Sequence, residues 1–248
     1  MPGTRRPDQL EAAERQLLVF AREINQLYQA ERARAAELEE ALARLRESYT
    51  DMIRTLAFVV EAKDPGTRAH LARTHDYAVE LARAVDPPMA EDQQLRYGFL
   101  LHDVGKVGVP EAILNKRGPL DEREWRVMRT HPLLGVQMVA GIKSLGHAVE
   151  VIRCHHERWD GGGYPAGLRG EQIPLGARIF AVADAFDAMT SNRPYRRALP
   201  LERAYREIAD GAGSQFDPTV VDAFDGLAAT LPELHAALHG TRTPVAAG

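Results

Sequence analysis

Residues 97–106 read Tyr-Gly-Phe-Leu-Leu-His-Asp-Val-Gly-Lys, and this stretch decides how the rest of the chain is read. Tyr97, Phe99, Leu100 and Leu101 form an apolar helical run that ends in His102-Asp103 and leads into Val104-Gly105-Lys106. Two polar side chains of ligand type thus stand at the edge of a core. Buried polar groups need partners, and a metal ion is one way to supply them. A lone His-Asp pair is common at helix ends and on surfaces, so its meaning depends on what else the chain brings.

The pattern recurs. His155-His156-Glu157 follows Val149, Val151 and Ile152 on what reads as another helix, and His131 precedes Pro132 at a helix start. Asp184 lies within Ala181-Val-Ala-Asp-Ala-Phe-Asp187, a carboxylate in an apolar helix, and Asp187 shares its face. A buried carboxylate requires a cation, a donor or a proton, and the surrounding histidines are candidates for sharing a cation. Histidine and aspartate without cysteine suit Mn, Fe, Ni or Zn. One carboxylate can bridge two ions, and water held between two ions is a strong nucleophile at neutral pH, which is the chemistry a phosphodiester needs. His75, His147, His235 and His239 read as structural or exposed, and Cys154 as a small packed residue.

Around these clusters the chain reads as all-α. Residues 8–63 contain no Gly or Pro and are rich in Ala, Glu, Arg and Leu, which predicts one long helix. Leu10, Leu17 and Ile24 are spaced by seven, with Phe20 and Leu27 between and after them. Ala35, Leu38, Leu42, Leu45, Tyr49 and Met52 then alternate in steps of three and four. That is a coiled-coil seam, interrupted at Glu31 and Arg34 by a four-residue stutter. The expectation is a homodimer through this helix. The alternative is an amphipathic helix packed on its own domain.

Asp64-Pro65-Gly66 breaks the helix. Further helices are expected at roughly 68–85, 91–104, 121–130, 132–141, 145–158, 174–191, 200–210, 218–229 and 232–239, by the periodicity between Pro- and Gly-containing seams. Asp217-Pro218 reads as an N-cap followed by proline in the first turn. Tyr164 to Ile173 is either a small hairpin or, with Gly167 and Gly170, an ordered loop. The predicted division is a long helix over 1–55, a helical domain over 56–240 and a disordered tail over 241–248.

Composition bounds the function. The 248 residues carry 31 basic and 35 acidic side chains, a net charge of −4, so nothing points to a nucleic-acid polymer as partner. A single cysteine excludes an intrachain disulfide and fits a reducing compartment. No apolar run approaches a membrane span, and Met1 to Arg6 leads into charged helix without a signal core. A cytoplasmic location is expected.

The chain resembles the HD-GYP subgroup of the HD phosphohydrolase superfamily. The resemblance rests on Glu61-Ala-Lys-Asp-Pro followed by His70, on Leu101-His-Asp-Val-Gly-Lys-Val-Gly-Val-Pro, and on Ile113-Leu-Asn-Lys and His131-Pro. It continues through His155-His-Glu-Arg-Trp-Asp-Gly-Gly-Gly-Tyr-Pro, Ile173-Pro-Leu-Gly-Ala-Arg-Ile, Ala181-Val-Ala-Asp-Ala-Phe-Asp-Ala-Met-Thr and Arg193-Pro-Tyr-Arg, in the family's order.

The resemblance implies a helical HD-type metallophosphohydrolase that opens cyclic di-GMP to the linear dinucleotide pGpG, GMP or both. It implies one ion on His70, His102, Asp103 and Asp184, and a second shared through Asp103 and held by His131, His155 and His156. Fe or Mn is expected, with Zn, Ni and Mg compatible. Asp103 and Lys106 take the catalytic positions, with Lys106 reaching a scissile phosphate oxygen. Tyr164, Arg193 and Arg196 match the substrate pocket, and Asp187 and Asp64 match carboxylates that contact a base or support a ligand. Gly66 stands where some relatives hold a third metal with Glu, which implies two ions. The leading expectation is an active phosphodiesterase regulated through the long helix, by an upstream partner, dimer geometry or a small ligand; competing expectations are an HD-type hydrolase of another nucleotide and a non-catalytic binding or adaptor module.

Overall fold

The computed structural model describes residues 6–61, 67–192 and 197–240. Among them every regular element is helical, apart from a single bridge between Ala212 and Phe216. The helices are α1 (Arg6–Glu61), α2 (Thr67–Val85), α3 (Pro87–Ala90), α4 (Gln93–Leu101), α5 (Glu111–Leu114) and α6 (Glu122–Met128). They continue with α7 (His131–Val139), α8 (Gly146–Cys154), α9 (Leu175–Thr190), α10 (Leu201–Asp210), α11 (Pro218–Gly226) and α12 (Leu231–Gly240). Short 3₁₀ turns occupy Val104–Gly108, Lys143–Leu145 and Gly170–Gln172. The all-helical expectation holds. The predicted tail over 241–248, and the break at Asp64 to Gly66, lie outside the described residues.

The chain forms two compact units, Met1–Asp51 and Met52–Gly248. In the first, the seam side chains Leu17, Ile24, Leu38 and Leu45 are 50–66% exposed. In the second, Ile53 and Ala57 are buried, and Arg54, Thr55 and Phe58 share a cavity of about 380 Å³ with Leu71, His75 and Leu100.

The core of the second unit is built from α2, α4, α8, α9, α10 and α11. Tyr77, Leu81, Phe99, Val151, Ile179, Phe180, Phe186, Ile208 and Phe224 interlock there. Helix α9 is buried on nearly every side, which explains why its sequence is apolar all round and why Asp184 and Asp187 stand out in it.

Local chemistry sets the helix ends. Asp92 accepts from the backbone N–H groups of Gln94 and Leu95 at the start of α4. Asp121 and Glu124 close a reciprocal capping box on α6. Asp217 caps α11 ahead of Pro218, as the sequence predicts.

Several helices end earlier than their periodicity predicts, α11 at Gly226 among them, and two of these ends carry the site. Helix α4 stops at Leu101, because Asp103 leaves helical geometry (φ −99°, ψ 9°) and the chain tightens into the turn at Val104–Gly108. Helix α8 stops at Cys154, so His155-His156-Glu157 lies on the turn beyond the helix rather than on it. The hairpin alternative for 164–173 is not realised: Gly167 (φ +66°) and Gly170 (φ +58°) adopt left-handed geometry in an ordered loop.

Cys154 is 3% exposed between α8 and α9, and burial pushes its thiol up to about 11. At pH 8 the native thiolate fraction is therefore very small, and alkylation should be slow until the protein is unfolded. Rapid, complete modification by iodoacetamide under native conditions would show that α8 does not pack as described.

Candidate metal centre

The turn after α4, the start of α7, the turn after α8, and the faces of α2 and α9 converge on one hollow. His102 and Asp103 come from the first, His131 from the second, His155 and His156 from the third. His70 and Asp184 come from α2 and α9. The side chains form two groups with mutually close ligand atoms: Asp103, His131, His155 and His156, and His70, His102 and Asp184.

The hydrogen bonds of the histidines explain their orientation. Nδ1–H of His102 donates to the Phe99 carbonyl at 3.0 Å, that of His131 to Met128 at 2.8 Å, and that of His155 to Ile152 at 2.9 Å. His70 Nδ1 meets Asp187 Oδ2 at 2.6 Å. With the proton on Nδ1, each ring turns its Nε2 toward the hollow, the tautomer a metal ligand requires. Nε2 of His131 and Nε2 of His155 then face each other at 3.3 Å, two lone pairs with no proton between them. Burial holds the pKa of His155 and His156 below that of ordinary imidazole, so both rings are neutral.

Asp103 links the two groups. Its Oδ1 lies 3.2 Å from His131 Nε2 and 3.7 Å from His155 Nε2, while Oδ2 lies 3.2 Å from His102 Nε2 and 2.6 Å from Lys106 Nζ. Oδ1 is buried without a hydrogen-bond donor. Burial alone would raise this carboxyl, yet it is held well below the usual carboxylate range, chiefly by the Lys106 ammonium beside it. An anionic bridge, an unsatisfied oxygen and converging lone pairs make a donor set that fits divalent cations.

The support of His70 was not legible in advance. Asp187 is fully buried, and its carboxylate takes His70 on one side and Arg73 on the other, with Arg73 Nε at 2.5 Å. Burial raises the Asp187 carboxyl, and His70 and Arg73 overcome that and lower it. Asp187 therefore stands behind a ligand instead of facing the hollow: of the two roles the resemblance offered, it takes the ligand support and not the substrate contact. Arg73, three residues after His70 on the same face of α2, carried the signal that was missed.

The hollow beyond the clusters measures about 580 Å³, and its lining includes Trp125, Arg129, His155, His156, Tyr164 and Asp184. The Tyr164 ring stacks on His156 with centroids 4.7 Å apart. The loop that carries Tyr164 is tied down by buried Glu157, which accepts from the N–H groups of Ala166 at 2.7 Å and Leu168 at 3.1 Å. Asp64, Arg193 and Arg196 lie outside the described residues. His75 and His147 pair with Asp76 and Asp92, and His235 bonds the Tyr77 hydroxyl, all away from the cage.

The family model described as HD domain matches residues 54–220, most of the chain. The chain belongs to the HD-domain family. The HD-GYP resemblance stands alongside it: two HD-domain relatives are named cyclic di-GMP phosphodiesterase. That of Vibrio cholerae is 41% identical over 185 residues, covering 68% of this chain and 38% of the relative. That of Thermotoga maritima is 36% identical over 188 residues, covering 75% and 51%. The chain thus spans only about half the length of these relatives, or less. A solved structure, the cyclic GMP-AMP-specific phosphodiesterase of V. cholerae, shares the fold with a TM-score of 0.56 at 21% identity. The match covers 76% of this chain and 50% of that one.

Proposed function

We propose that this chain is a cyclic di-GMP phosphodiesterase that opens the ring to linear pGpG, GMP or both. The observation that carries the reading is Asp103, whose Oδ1 faces His131 and His155 and whose Oδ2 faces His102, beside a hollow lined by His155, His156 and Tyr164. The names of the relatives support the substrate class.

His70, His102, Asp103 and Asp184 would hold one divalent ion, and Asp103, His131, His155 and His156 the other. Fe or Mn is the first choice for this N/O set, with Zn, Ni and Mg compatible. Two rather than three ions follow from Gly66. Bound ions would polarise a phosphoryl oxygen and acidify water.

The remaining roles fall to the protein. Asp187 and Arg73 fix the His70 ring. Lys106, already beside Asp103, offers its ammonium to charge developing on a phosphate oxygen. Tyr164 walls the hollow at base-stacking height. Arg193 and Arg196 supply further cations to the substrate, and Asp64 a base contact. We place residues 1–55 as a dimerising helix, 56–240 as the catalytic domain and 241–248 as a tail, in the cytoplasm and under an upstream partner. Support for the dimer is the exposed seam of α1. No described helix is long and apolar enough to cross a membrane.

The test is incubation of anaerobically purified, Mn- or Fe-loaded protein with cyclic di-GMP, cyclic GMP–AMP and a panel of mononucleotides and alarmones, with chromatography of the products. Cyclic di-GMP is expected to give the linear dinucleotide first. Preferred turnover of a mononucleotide would replace this reading with a general nucleotide hydrolase. An unchanged cellular effect of Asp103→Ala would favour an adaptor.

A further inference from the structure

Arg129 lies on the turn between α6 and α7, two residues before His131. Its guanidinium carbon is 5.6 Å from the Trp125 ring centroid and 5.6 Å from that of Tyr164. Tyr164 in turn stacks on His156, whose ring is 4.1 Å from that of His155. A column of rings and one cation therefore runs from the floor of the metal cage along the wall of the hollow. Stacking against aromatic faces holds a guanidinium in place without using its N–H donors.

Those donors are free. Among the described residues the Arg129 side chain makes no hydrogen bond or ion pair, whereas Arg158 on the same wall is held by Asp160 at 3.1 and 2.7 Å. The carboxylates nearby are taken as well. Glu157 holds two backbone N–H groups, and Asp184 belongs to the cage. A pre-positioned cation with unspent donors on the wall of an anion-processing hollow is suited to a phosphate, whose oxygens match the guanidinium fork.

A cyclic dinucleotide carries two phosphodiesters, and the cage can process only one at a time. Resting on the function proposed above, we infer that Arg129 binds the second phosphodiester of the cyclic dinucleotide, the one not being cleaved, and so sets the register in which the first enters the cage. It is a specificity-determining residue that selects a substrate with two phosphates over one with a single phosphate.

The test compares Arg129→Ala and Arg129→Lys with wild type on two substrates, cyclic di-GMP and bis(p-nitrophenyl) phosphate, which has one phosphodiester. Metal content and thermal midpoint serve as checks on folding. Loss of a charge-assisted contact should raise KM for cyclic di-GMP roughly 10- to 100-fold in Arg129→Ala. The lysine, which keeps the charge but not the fork, should fall between. The loss in kcat/KM should be at least about tenfold larger for the cyclic substrate than for the aryl diester. Equal losses on both substrates, or no loss on either, would overturn the contact while leaving the phosphodiesterase reading intact. Failure of wild type to bind or cleave any cyclic dinucleotide, with the aryl diester still hydrolysed, would overturn the phosphodiesterase reading and the contact with it.

Discussion

Asp103→Ala is expected to empty the cage of metal and to lower phosphodiester turnover by about three orders of magnitude or more, since metal charge stabilisation supplies several kcal/mol and each ~1.4 kcal/mol is tenfold. The expectation follows from position. Oδ1 belongs to the His131–His155 side and Oδ2 to the His102–Lys106 side, so one truncation removes the anion from both groups. Five imidazoles, the Asp184 carboxylate and an ammonium would remain, and an ammonium repels a divalent ion. Asp184→Ala touches only the group with His70 and His102, so it should lose one ion and keep the other.

Metal analysis of anaerobically purified protein distinguishes the two variants: about two ions per chain in wild type, about one in Asp184→Ala, and well below one in Asp103→Ala. A second readout separates site loss from misfolding. Metal that binds only the folded state raises the thermal midpoint. That increment should vanish in Asp103→Ala, whatever smaller fall in the metal-free midpoint follows from losing the Oδ2 ion pair with Lys106. Wild-type metal content in Asp103→Ala would dismantle the two-group cage.

What could be read from the sequence, and what could not, divides along a physical line. Helices are local, so apolar periodicity and the Pro- and Gly-bearing seams located most of them. Two of the misplaced ends, those of α4 and α8, lie at the cage. Nothing in His102-Asp103 or His155-His156 forbids helix, and the chain departs from it there because tertiary packing sets the ligands at helix ends. Ligand types were legible for the same reason Asp184 was: a polar side chain inside an apolar run announces an unmet need.

Roles that depend on pairing across the chain were not legible. Asp187 and Arg73 are separated by 114 positions, and only the fold shows that the carboxylate supports His70. Glu157 carries no local sign that it will hold the loop nine and eleven residues on. Arg129 could be any surface arginine until Trp125 and Tyr164 are seen on either side of it in sequence and beside it in space.

The second large effect is expected at a residue with no side chain. Gly105 has an ordinary backbone conformation, so alanine there is barred by space alone. A methyl group would stand 1.9 Å from the His131 carbonyl oxygen and 2.5 Å from the Gly135 nitrogen. Both neighbours are backbone of α7, so no side-chain rotation can make room, and the 104–108 turn must move off the helix. That turn follows directly on Asp103, and α7 begins at His131, whose Nε2 lies 3.2 Å from Asp103 Oδ1.

Separating the two by about an ångström exceeds the roughly 0.5 Å within which a site must be held. Gly105→Ala should therefore lose metal as well as stability. Overpacking costs about 1–3 kcal/mol in ordinary cores, and a rigid backbone clash belongs at or above the top of that range. In a chain of this size, ~3 kcal/mol lowers the thermal midpoint by roughly 6–12 °C. Gly141→Ala and Gly226→Ala are the controls, since nothing lies within 4 Å of either added methyl. They should leave the midpoint unchanged or raise it slightly, by restricting the unfolded chain. If Gly105→Ala kept both the midpoint and the metal of wild type, the turn and α7 could not meet as described, and Asp103 and His131 could not belong to one cage.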